Sequence, residues 1–83
     1  MVKEENWAID QERVRAFFAD QPGAVETEDG FLLDDCQVTL RESSGLLMGK
    51  WASPRTVIRF AGEPEAVQAV YRRFFLRFLS AGG

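Results

Sequence analysis

The segment from Gly62 to Ser80 constrains this chain more than any other. Gly62 interrupts the pattern before it, Pro64 suits the first position of a helix, and Glu63 and Glu65 complement the positive end of the helix dipole. With Phe74 at the centre of a buried face, Val67, Val70, Tyr71, Phe75 and Phe78 fall within roughly a third of the circumference at about 100° per residue. Arg72, Arg73 and Arg77 flank or oppose that stripe. A helix this one-sided must lie against a second layer, and 83 residues leave room for a single core, so residues 1–83 read as one domain.

The rest of the chain supplies that layer. Asp10 can cap a first helix running to about Asp20, with Gln11 and Glu12 in its first turn and a hydrophobic staple between Ile9 and Val14. Val14, Phe17 and Phe18 share one face, Trp7 joins them if the helix begins earlier, and Gln21-Pro22-Gly23 stops it. Asp29-Gly30 reads as a two-residue hairpin turn that sets Glu28 opposite Phe31 and Thr27 opposite Leu32. Val25, Thr27 and Leu32 then share a face, and the same parity carries on through Cys36, Val38 and Leu40, with a bulge or bend at Asp34-Asp35. Leu46 to Ala52 reads as a further strand. In Thr56 to Ala61, Thr56, Ile58 and Phe60 alternate with Val57, Arg59 and Ala61. The expected fold is α+β: a two-layer sandwich of an N-terminal helix, an antiparallel meander of three or four strands and a long C-terminal helix, with both helices on one sheet face.

The charges are unevenly spread. Residues 1–36 carry ten acids and three bases, a net −7, and residues 37–83 three acids and seven bases, a net +4. Either the halves pair across the folded surface, or a basic face serves an anionic ligand or head-to-tail self-association.

Catalytic and metal chemistry are poorly provided for. Histidine is absent, which removes the commonest general base and metal ligand. A lone Cys36 on the inward parity of a strand reads as a small buried hydrophobe and cannot form an internal disulfide. Asp34 and Asp35 are adjacent, so in a regular strand they point to opposite faces. Glu26, Glu28 and Asp29 lack the spacing of a calcium loop, and the glycines assemble no phosphate-binding motif. No metal or cofactor is implied. The first residues lack a basic region followed by an apolar run, and no apolar stretch approaches bilayer length, so neither secretion nor membrane insertion is expected and a cytoplasmic location is.

Lys50, Trp51, Arg55 and Arg59 bring basic and aromatic side chains together. They suggest a small anionic-ligand site between sheet and helices, with an arginine or the lysine holding the anion and Trp51 stacking on it. Nucleic acid is disfavoured as a partner, because the chain is acidic overall, with a net charge of −3, and carries no single-strand platform motif. Leu76 and Leu79 project with Arg72, away from the buried stripe of the last helix. Together with Phe75 they would form an apolar patch for a homodimer or a protein partner, unless the N-terminal segment, Trp7 included, covers them.

The ending Ala81-Gly82-Gly83 resembles the Gly-Gly terminus of ubiquitin-like sulfur-carrier proteins, whose small flexible tail enters a partner's active site. In that family the tail follows a strand of a β-grasp fold, and here it follows an amphipathic helix. Glycine past a helix end is also an ordinary stop signal. The order of readings is therefore a non-enzymatic interaction domain first, an anionic-ligand binder second, and a sulfur carrier third.

Overall fold

The computed structural model describes residues 1–43 and 55–82, with residues 80–82 described as backbone only. Among the described residues seven elements follow in order: β1 (Val2–Trp7), α1 (Gln11–Ala19), β2 (Val25–Glu26), β3 (Gly30–Leu33), β4 (Cys36–Glu42), β5 (Thr56–Gly62) and α2 (Pro64–Gly82). The strands form one antiparallel sheet in the order β1-β5-β4-β3-β2.

Both helices lie on one face of that sheet. Their buried side chains, Val14 and Phe18 from α1 and Val67, Val70, Phe74 and Phe78 from α2, meet Phe31, Leu33, Cys36, Val38, Leu40, Ile58 and Phe60 from the strands in one core. Phe18 stacks on Phe74 with ring centroids 5.6 Å apart, and Phe60 lies 6.1 Å from each of them. The two helices and β5 are thus joined through three rings, the kind of contact that adds to plain apolar burial. The two-layer α+β architecture read from the sequence is the one observed.

Asp10 caps α1 as its position suggests, its carboxylate accepting from the Arg13 backbone N–H at 2.9 Å. The helix does not reach back to Trp7. Residues 2–7 instead form β1, an edge strand paired with β5 from Val2 opposite Ala61 to Trp7 opposite Thr56. A strand was not expected there, because Lys3, Glu4, Glu5 and Asn6 lack the apolar alternation that marks a half-buried strand. Charge of this kind is what an edge strand carries to discourage pairing with other chains.

The β2–β3 hairpin also differs from the sequence reading. Val25 pairs with Leu32 and Glu26 with Phe31, so Glu28 and Asp29 make the turn, closed by the Thr27 N–H donating to the Gly30 carbonyl at 2.8 Å. Gly30 is a strand residue, paired with Thr39, and a Cβ there would meet the backbone carbonyl of Val38. Its glycine character serves close strand approach and not the turn.

The run expected to be one bent strand from Phe31 to Arg41 is a second hairpin. Leu33 pairs with Cys36, and Asp34 takes the left-handed conformation (φ 53°), which aspartate tolerates in tight turns. This changes the faces. Phe31 and Leu33 point into the core with Cys36, Val38 and Leu40, whereas Leu32 and Val25 point away from it and are exposed. The alternation expected in β5 is observed, with Thr56, Ile58 and Phe60 buried. The strand expected at Leu46 to Ala52 lies outside the described residues.

Candidate functional site

Three places carry polar or exposed apolar groups in arrangements that bear on function. The first is the joint between β1 and α2. Lys3, Glu5 and Trp7 lie on the helix-facing side of β1, and the Glu5 carboxylate accepts from Trp7 Nε1 at 2.9 Å and from the Tyr71 hydroxyl at 3.0 and 3.1 Å to its two oxygens. Lys3 Nζ stands 3.7 Å from the same carboxylate and 4.5 Å from the centroid of the Tyr71 ring. Burial, and then the neighbouring Glu5 carboxylate, push the Tyr71 hydroxyl above its ordinary pKa. Trp7 packs edge-on against Phe74 and Phe75, at 5.0 and 6.0 Å. This polar cluster ties an otherwise charged edge strand to the core. The period-two recurrence of Lys3, Glu5 and Trp7 is the signal that could have revealed it.

The second place is a groove of about 850 Å³ between α1 and the C-terminal part of α2, lined by Arg13, Phe17, Asp20, Gln21, Arg77 and Phe78 among others. The Arg13 and Arg77 guanidiniums lie 5.9 and 5.6 Å from the Phe78 ring centroid, at cation–π distance. Sequence reading placed Arg77 only as flanking or opposing the buried stripe of α2.

The third is the sheet face opposite the helices, which no helix or strand among the described residues covers. Arg59 stands there, exposed, on the opposite side from the helices, so it cannot take part in the anionic-ligand site expected between the two layers. The strand period decides this: Ile58 and Phe60 are buried, and the residue between them must point the other way. Arg55 donates from Nε to the Asn6 side-chain oxygen at 3.0 Å, bridging β5 to β1 at the strand ends. Lys50 and Trp51, the other members of that expected site, lie outside the described residues.

On α2, Leu76 and Leu79 are 55% and 53% exposed, with Arg72 exposed beside them. Phe75 does not join them as an exposed residue. It is half-buried, with Trp7 and Tyr71 (5.7 Å) against it. The N-terminal segment thus covers Phe74 and Phe75 and leaves both leucines accessible. Cys36 is buried, and that burial raises its thiol pKa, which keeps it in the unreactive thiol form. Asp34 and Asp35 form the β3–β4 turn. Among the described residues no group of three histidine, cysteine, aspartate or glutamate side chains is placed to hold a metal ion, and no helix is long and apolar enough to cross a membrane. The two ion pairs among the described residues, Lys3–Glu5 and Arg15–Glu26, both lie within the acidic first part of the chain, so the oppositely charged halves are not joined by them.

The last turn of α2 extends through Gly82, two residues beyond the expected end near Ser80. A family model described as archaeal MoaD-like protein matches residues 2–83. The chain belongs to this family. The matched region takes in every strand, both helices and the Gly82-Gly83 pair. No curated protein and no solved structure gives a match. Membership in the MoaD-like family raises the sulfur-carrier resemblance of the Gly-Gly ending above the place that sequence reading gave it. The helix that ends in Gly82 remains the feature that differs from a tail carried on a strand.

Proposed function

We propose that this chain serves sulfur-carrier chemistry as a small protein that docks on partner proteins and contributes no catalytic group of its own. The observation that carries this reading is the MoaD-like family match over residues 2–83, which includes Gly82-Gly83. Glycine is among the poorest helix formers, so the last turn of α2, which holds Gly82, opens at little cost and allows the end of the chain to enter a partner's active site. In that chemistry an activating enzyme joins the terminal carboxylate to AMP from ATP with loss of pyrophosphate, and hydrosulfide then attacks the acyl carbon and displaces AMP to leave a thiocarboxylate.

The test is intact mass spectrometry of the chain ending at Gly83 after incubation with ATP, a MoaD-activating enzyme and a sulfur source. A mass gain of one AMP, or exchange of one oxygen for sulfur, is expected, and deletion of Gly83 should abolish both. A second reading, docking without tail chemistry, is favoured by the tail's place on a helix rather than on a strand. It is the correct one if the unmodified chain binds the activating enzyme yet never gains mass. Absence of both binding and modification would overturn both readings.

A further inference from the structure

The groove between α1 and α2 is a cationic spot on a chain that is acidic overall. Arg13 and Arg77 come from different helices, yet both guanidiniums stand at cation–π distance from one ring, that of Phe78. Arg73 precedes Arg77 by four residues and so lies on the same flank of α2, one turn earlier. All three arginines are exposed, and neither ion pair found among the described residues involves any of them.

The acids on the two helices do not cancel this charge. Asp20 is the one acid among the described residues that line the groove, and it forms no ion pair with either guanidinium. It is seven residues from Arg13, about 10 Å along α1. Asp10 is committed to capping α1 through the Arg13 N–H. Glu12 lines a separate hollow with Arg15, Glu26 and Phe31. Glu65 belongs to the first turn of α2, twelve residues and about 18 Å before Arg77. Residues 80–83 add no aspartate or glutamate.

We propose, resting on the carrier reading above, that this groove receives an acidic segment of the activating enzyme that takes the tail. Arginine and carboxylate pair through two parallel hydrogen bonds, and two arginines on separate helices can hold two carboxylates of one segment. Phe17 and Phe78 supply apolar surface beneath them. The place fits the role, because Gly82 follows Phe78 by four residues, about 6 Å along α2, so a protein whose active site holds the tail stands beside the groove. Asp20 repels a carboxylate near it and so sets the acidic part of the segment at the Arg13 end. A free small anion fits less well. The groove is open and its arginines are exposed, so water screens such a pair. A docked protein excludes that water and strengthens the same contacts.

Calorimetric titration of the full chain into a MoaD-activating enzyme tests this, with intact mass spectrometry on the same samples. Binding should weaken as salt rises. Arg13→Glu/Arg77→Glu should raise the dissociation constant by roughly a hundredfold, with circular dichroism confirming the fold. Arg59→Glu/Arg72→Glu makes the same change in net charge away from the groove and should raise it by less than about threefold. In the Arg77→Lys variant, carbodiimide should join the new amine to an aspartate or glutamate of the enzyme. An Arg13→Glu/Arg77→Glu chain that binds as tightly as the wild type and still gains mass overturns the groove and leaves the carrier reading standing. A wild type that binds through the two arginines but never gains mass does the reverse. Equal losses from the two double variants, or a wild type that does not bind, overturn the groove as well. So does sub-millimolar binding of free glutamate or phosphate that Arg13→Glu/Arg77→Glu abolishes, which would assign the arginines to a small anion.

Discussion

The two faces of the sheet are built from the same strands, often from neighbouring residues, yet they meet different physical demands. On the covered face Phe31, Leu33, Val38, Ile58 and Phe60 are almost fully removed from water by α1 and α2. On the uncovered face Leu32, Gln37, Thr39, Val57 and Arg59 alternate with them and carry mixed apolar and cationic character. The covered face is fixed by packing density, where a methyl group more or less is felt. On the other face no described element imposes that constraint, so its composition is less restricted by packing. Substitutions can break or sharpen this contrast.

The largest effect belongs to Phe74, whose ring touches those of Trp7, Phe17, Phe18, Phe60 and Phe78. Phe74→Ala should cost about 3–5 kcal/mol in urea unfolding. A loss below about 1 kcal/mol would mean that the two layers are not held by this aromatic cluster. Next comes the cap that anchors α1 over the sheet: Asp10→Ala removes the acceptor for the Arg13 N–H and should cost about 1 kcal/mol by the same measurement. Replacement by asparagine, which keeps an acceptor, should recover most of it.

A pH scan separates the two faces in another way. Tyr71 and Cys36 both have folded pKa values raised by burial, from ordinary values of 10.0 and 9.0. In each case the unfolded chain loses the proton first. Stability is therefore complete below about pH 9 and falls as pH rises through the folded values. Tyr71→Phe should shallow this alkaline loss, followed by circular dichroism at fixed urea, although it also removes the hydrogen bond to Glu5. An unchanged slope would remove Tyr71 from the account. The smallest effect is expected on the uncovered face, where Leu32→Thr in dilute solution should change stability by less than about 0.5 kcal/mol. A larger cost there would show that the open face packs against something within the single chain.

How far the sequence revealed this molecule follows from the range of the forces involved. α2 was legible because its stripe from Val67 to Phe78 is a periodic pattern along one segment, and the Asp10 cap and the β5 alternation are equally local. β1 was not legible, because six residues rich in charge become a strand only through pairing with β5, between 49 and 59 positions away. The β3–β4 turn was seen as a disturbance at Asp34-Asp35 but not as a reversal. A bulge and a hairpin look alike in sequence, and they differ in whether Leu32 faces inward or outward.

The candidate sites divide in the same manner. Residue types told that no histidine chemistry was available and that Cys36 belonged in the core. They could not tell that Arg59 would stand away from the helices, or that Trp7 would cover Phe75 and leave Leu76 and Leu79 accessible.

The sequence by itself determined the two helices, the class of the fold and the absence of histidine-based catalysis, because these follow from local periodicity and from which functional groups exist. Only the tertiary structure decided which strand completes the sheet, which face each hairpin presents, and that Arg41, Arg55 and Arg59 gather on one surface. Strand pairing joins residues far apart in the chain, and a shift of one residue in a turn exchanges the buried face for the exposed one.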